Sequence, residues 1–165
     1  MTTTHAMRGL PRQHSDARQR ELPWFLLTAV STSVVLLVLH AVSHSLVVRH
    51  AMEAFPAGPP EFVRQLARPM NELVIWAMAL TSLTMGLLVT TVMRWTGSTT
   101  ITQGLWRGAA LGALYWTAVN SGLYASSHHF SLQAVVVDTP MSALCMMLAS
   151  AFAVWMLNAR RRIEP

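Results

Sequence analysis

Charged residues are scarce in this chain, 12% of its 165 residues against 53% hydrophobic. So few charges cannot cover a soluble globule, and lipid must take the place of water over much of the surface. Cysteine is nearly missing too. The single Cys145 excludes an intramolecular disulfide and a cysteine-pair metal site, and its place inside an apolar run is that of a packing residue. The signatures G-x-S-x-G, a phosphate-binding glycine loop and paired carboxylates on one helix are also absent, which leaves an enzymatic activity without support. The first apolar run is too long for a signal-peptide core and no small-residue cleavage site follows it, so it is expected to stay as a helix.

What is present is long apolar sequence. Four stretches are long enough to cross a hydrocarbon layer about 30 Å thick at about 1.5 Å per helical residue: Trp24–Val48, Leu73–Met93, Leu105–Ala125 and roughly Pro140–Leu157. The expected fold is all-α, an integral membrane four-helix bundle over residues 23–158, with a mobile tail at 1–22 and a basic tail at 159–165. Arginine supplies every basic residue apart from histidine. Arg8, Arg12, Arg18 and Arg20 precede the first run, Arg94 and Arg107 bracket the second connection, and Arg160, Arg161 and Arg162 follow the last, nine on one side against Arg49, Arg64 and Arg68 on the other. The positive-inside rule then puts both termini in the cytoplasm, and it accounts for the basic balance without a nucleic-acid partner. The expected partners are the bilayer and either a second copy or a larger membrane complex.

Within the outer connection, Phe55-Pro56-Ala57-Gly58-Pro59-Pro60 must break a helix, because proline lacks the amide donor and restricts its predecessor. Residues 60–69 then put Phe62, Val63 and Leu66 on one face with Glu61, Arg64 and Arg68 largely opposite, the pattern of a short helix at the lipid–water interface. Asn71-Glu72 offers capping chemistry at the start of the second run. In the third run Gly104, Gly108 and Gly112 recur every four residues, a stripe that lets a neighbouring helix approach closely, in the same chain or in a second copy. The last run opens on Asp138-Thr139-Pro140, with proline suited to a first helical turn and either neighbour to a cap. The lead-in Leu132–Val137 is either an extra turn before a kink or a segment folded back into the outer face.

Polar residues gather at the outer ends of these runs. His40 and His44 lie roughly 24 Å and 30 Å along the first run from Trp24 and share a helical face. Glu72, Asn120, Tyr124 and Asp138 fall at the same side, with His128 and His129 in the turn between the last two runs. Six of these, His40, His44, Glu72, Asn120, Tyr124 and Asp138, form the candidate binding cluster. Imidazoles at i and i+4 can also share a metal ion, so His40, His44, His128 and His129 are the candidate metal or haem ligands, with Asp138 able to complete the shell. Against such a site, the helix lacks the glutamate of H-E-x-x-H, and the first run alone holds histidine inside it. The methionines scattered through the apolar runs fit gap-filling. No cofactor is expected, and hydrogen bonding that holds the bundle together is the expected role of the two histidines.

The stretch Gly108-Ala-Ala-Leu-Gly112-Ala-Leu-Tyr115, with Asn120 and Val135-Val-Val-Asp-Thr139, resembles the second half of small four-span bacterial inner-membrane proteins known only as domains of unknown function. The resemblance implies a four-helix protein of the bacterial inner membrane, and it implies no activity. Within that frame the expected function is binding or accessory, through the outer polar cluster. A metal or haem protein is the alternative, and a small oligomeric transporter is a third. Neither an inverted repeat nor a helix broken at mid-membrane supports transport by one chain.

Overall fold

The computed structural model describes residues 11–59, 61, 62, 65, 70–127 and 130–161, and among these every regular element is helical. Helix α1 spans Pro11–Ser43, widens into one π turn at His44–Val48, and continues as α2 over Arg49–Ala54. A 3-10 turn at Met70–Glu72 leads to α3 at Ile75–Trp95, then α4 at Ile101–Ser126 and α5 at Leu132–Arg161. The tail expected to be mobile is helical from Pro11 onward. Three helical segments, Glu21–Ala54, Ile75–Trp95 and Leu132–Ala159, are long and apolar enough to cross a membrane. Helix α4, the third expected span, has the length at 26 residues but falls below their apolarity, diluted by its glycines, Arg107 and Asn120.

Local chemistry explains most of the ends. Helix α2 stops at Ala54, where Phe55 leaves helical geometry (φ −129°, ψ 68°) ahead of Pro56, as the residue before proline is pushed to do. The interfacial helix expected at 60–69 falls mostly outside the described residues, of which Glu61, Phe62 and Gln65 are helical. Helix α3 ends in a Schellman turn. Gly97 takes φ 61°, and the amides of Gly97 and Ser98 reach back to the carbonyls of Arg94 and Met93, each at 3.1 Å, satisfying groups that the helix end would strand. Helix α4 opens on a capping box, in which Thr100 and Gln103 each bond the other's backbone amide, at 3.2 and 3.4 Å.

Two expected helix starts are corrected. Asn71 and Glu72 do not cap α3, whose N-cap is Val74 with no side-chain bond. Asp138 and Thr139 do not cap the last helix either. It begins at Leu132, where Ser131 Oγ accepts from the Ala134 amide at 3.2 Å, so Leu132–Val137 is helix and Pro140 lies inside it. Proline has no amide proton to offer the Val136 carbonyl, and a helix in a membrane tolerates that loss when neighbours supply polar groups.

Helices α1, α3 and α5 share one core of Leu36, Val89, Met93, Met146, Ala149, Ala153 and Val154. Helix α4 lies along α5 and barely touches α3. The glycine stripe is the reason it can. A Cβ built at Gly104 would stand 3.0 Å from Ala151 Cα, and one at Gly112 2.9 Å from Ala143 Cα, while one at Gly108 would collide with Ser150. The stripe therefore serves a neighbour in the same chain. Gly86 does the same for α3 against α1, where a Cβ would lie 2.5 Å from the Ala29 carbonyl oxygen.

Polar contacts collect at one end of the bundle. Trp24 Nε1 donates to the Met156 carbonyl at 3.1 Å and Asn158 Nδ2 to that of Thr99 at 2.7 Å. Arg94 pairs with Glu21 and lies 5.5 Å over the Phe25 ring, and Arg107 donates to the Thr96 carbonyl and the Ser98 hydroxyl. The chain thus begins α1, ends α3, begins α4 and ends α5 on the same side.

Candidate functional site

The opposite end holds the second polar layer. Measured from the Trp24–Met156 contact at about 1.5 Å per residue, His40 stands roughly 24 Å along α1 and Asp138 roughly 27 Å along α5, close to a full hydrocarbon thickness. Three helices supply it at helical spacing: His40 and Ser43 from α1, Trp116 and Asn120 from α4, Asp138, Ser142 and Cys145 from α5.

Asp138 supplies its carboxyl group. Asn120, only 3% exposed, donates through Nδ2 to Asp138 Oδ2 at 2.8 Å and to Thr139 Oγ1 at 3.0 Å, one amide hydrogen for each. The Ser142 hydroxyl gives to Asp138 Oδ1 at 3.3 Å. These bonds tie α4 to α5 beyond the last glycine of the stripe. A carboxylate accepts about four hydrogen bonds, so Asp138 keeps capacity beyond these two. On the α1 side, buried Ser43 meets the thiol of buried Cys145.

His40 bonds back to its own helix. Its Nδ1 lies 2.9 Å from the Leu36 carbonyl oxygen, which can only accept, so Nδ1 carries a proton and Nε2 takes no part in this bond. That Nε2 atom is buried without a hydrogen-bond partner, and so is the indole Nε1 of Trp116. The two rings are tilted at 47° with centroids 5.4 Å apart.

Of the six residues expected in the binding cluster, the structure joins Asn120 to Asp138 directly and sets His40 at the same level. It leaves the others apart. His44 is exposed, Tyr124 is 46% exposed, and Glu72 is exposed on the 3-10 turn before α3. His40 and His44, one turn apart on α1, therefore differ in surroundings, the first packed on Trp116 and the second facing outward. Among the described residues no three of His, Cys, Asp and Glu converge on a metal-binding point, and the expected ligands His128 and His129 lie outside them. Ser43, Trp116 and Ser142 were not singled out in the sequence, although Ser142 follows Asp138, and Trp116 precedes Asn120, by the four residues that share a helical face.

Among the described residues the layer offers a carboxyl group, an imidazole, an indole N–H and several hydroxyls, a set that binds by hydrogen bonding. With three apolar helices long enough to span, it defines the class: a multi-pass helical membrane protein with a polar layer at one end. No protein-family model, no curated protein and no solved structure matches this chain.

Proposed function

We propose that the chain is a four-span protein of the bacterial cytoplasmic membrane, both ends cytoplasmic, and that it acts as a non-enzymatic binding or accessory protein whose outer polar layer holds a small ligand or partner. The observation that carries this is the Asp138 carboxylate bonded between helices near one hydrocarbon boundary. An ionisable group in a span is costly, and where one persists with partners it marks function by default.

Aromatic girdles support α4 as the fourth span. On α3, Trp76 and Trp95 are 71% and 82% exposed and lie about 28 Å apart along the axis. On α4, Trp106 and Tyr124 are 75% and 46% exposed and lie about 27 Å apart. Exposed aromatic residues at that separation suit the two interfaces of one bilayer. The resemblance of the Gly108–Tyr115, Asn120 and Val135–Thr139 stretches to small four-span inner-membrane proteins belongs to the same proposal, as do the cytoplasmic ends implied by the nine arginines.

The test compares small molecules that stay bound to the purified wild type with those bound to Asp138→Asn, by mass spectrometry of denatured extracts. Asparagine keeps the size and removes the charge. A compound retained at about one per chain by the wild type and lost from a variant of equal melting temperature is the expected outcome. Identical extracts from both would discard Asp138 as a ligand-binding residue.

A further inference from the structure

Arg107 lies in the second turn of α4, next to Trp106, whose side chain is 75% exposed. Its partners are set by the turn that precedes the helix. The amides of Gly97 and Ser98 bond back to the carbonyls of Arg94 and Met93, which leaves the Thr96 carbonyl and the Ser98 hydroxyl for Arg107. Nη1 of Arg107 donates to both, at 2.6 and 2.7 Å. A guanidinium is planar and carries its five N–H bonds in that plane. Two acceptors on Nη1 therefore also hold the direction of the other three, on Nε and Nη2, and among the described residues these have no acceptor.

The free nitrogens are open to the outside. Arg107 is half-buried, and the partnerless side-chain nitrogens that are closed off among the described residues belong to His40 and Trp116, not to it. Its charge is unmatched as well. Arg49 pairs with Glu53 and Arg94 with Glu21, whereas both acceptors on Arg107 are neutral groups. Nε–H and its neighbour on Nη2 run parallel, a fork that fits two oxygens of one anion. At the depth of an exposed tryptophan, the anion that a bilayer presents is the phosphate of its headgroups.

We infer that Arg107 is a phosphate-binding site at the Trp24–Met156 end of the bundle, its Nε–H and Nη2–H donating to two oxygens of one phosphate group while Thr96 and Ser98 hold it in aim. A phospholipid headgroup and a dissolved phosphate share this chemistry. The inference goes beyond the proposed binding function, which lies at the opposite end, and it rests on the four-span reading only in setting Trp106 at a bilayer surface. Both leaflets carry phosphates, so a reversed topology, or identical extracts from Asp138→Asn, would leave this site standing.

The first experiment needs no variant. Phenylglyoxal, which attacks accessible guanidinium groups, is applied to the full chain purified in an uncharged detergent, and modification of each arginine is followed by peptide mass spectrometry. Dioleoylphosphatidylglycerol is expected to slow modification of Arg107 at least several-fold, and dioleoylglycerol, which has the same chains and no phosphate, is expected to leave it unchanged. Protection by inorganic phosphate in place of the lipid would identify a dissolved ligand for the same site. The second experiment measures binding of the protecting probe, by native mass spectrometry for the lipid and by equilibrium dialysis for inorganic phosphate. Arg107→Lys keeps the charge and loses the fork, so at a melting temperature near that of the wild type it should bind at least several-fold less. Arg94→Lys, at a residue already paired with Glu21, should bind as the wild type does. The site is overturned by no protection of Arg107 from either phosphate probe, by equal protection from dioleoylglycerol, or by equal protection of Arg49. Wild-type binding in Arg107→Lys, or an equal loss in Arg94→Lys, would overturn it too.

Discussion

Asn120 gives away both amide hydrogens, one to Asp138 and one to Thr139, so its removal strands two acceptors at once. Asn120→Ala is expected to lower stability by about 1–3 kcal/mol, the usual cost of leaving buried partners unsatisfied. Tyr124→Phe, at an exposed position one turn further along α4, should change it by less than about 0.5 kcal/mol. Denaturant titration in a fixed detergent compares the two. The Asn120–Asp138 pair was partly legible in the sequence, because polar residues stand out in apolar runs and axial rise alone puts both at the outer end. The exposure of His44 was not. Strict α-helical spacing aligns it with His40, and nothing in the sequence signals that His40 packs on Trp116 while His44 faces outward. Trp116 was hidden for another reason: an aromatic inside an apolar helix has the same pattern whether it meets lipid or a histidine.

At the level of the helices, the α4–α5 seam makes a sharp comparison possible. Gly108→Leu forces a side chain into Ser150, whereas a Cβ at Gly122, on the same helix, meets nothing within 4 Å. Overpacking of this kind costs about 1–3 kcal/mol or more. The Gly108 variant should therefore melt well below the wild type in detergent while Gly122→Leu melts near it. Equal melting would mean that α4 does not pack on α5 through its glycines. The existence of four long helices was legible from run length and apolarity, and the glycine stripe from its four-residue repeat. Two helix starts were not. Pro140 has the look of a first-turn residue and Asn71-Glu72 that of a cap, yet Ser131 and Val74 stand at those boundaries, since a membrane helix can carry proline in its interior. Gly86 was passed over because a lone glycine has no period to betray it.

For the molecule as a whole, the arrangement of ends is the testable property. Contacts among Glu21, Trp24, Arg94, Arg107 and Asn158 gather the 21–24 stretch of α1, the 156–158 stretch of α5 and the α3–α4 turn on one side, and nine of the twelve arginines belong to that side in the sequence. A reporter fused after Pro165 should behave as cytoplasmic and one inserted at Gly58 as external. The reverse pattern would put the Asp138 layer at the cytoplasmic face. The uneven packing of α4 also bears on how such a chain is made. Its partner is α5, which is synthesised after it, and its own apolarity is below that of the other long helices. When α4 first leaves the ribosome, its glycine face and Asn120 have nothing to meet, and lipid is a poor substitute for either. On the proposed four-span reading, stable insertion of α4 waits for α5, and the two enter the bilayer together, after α1 and α3.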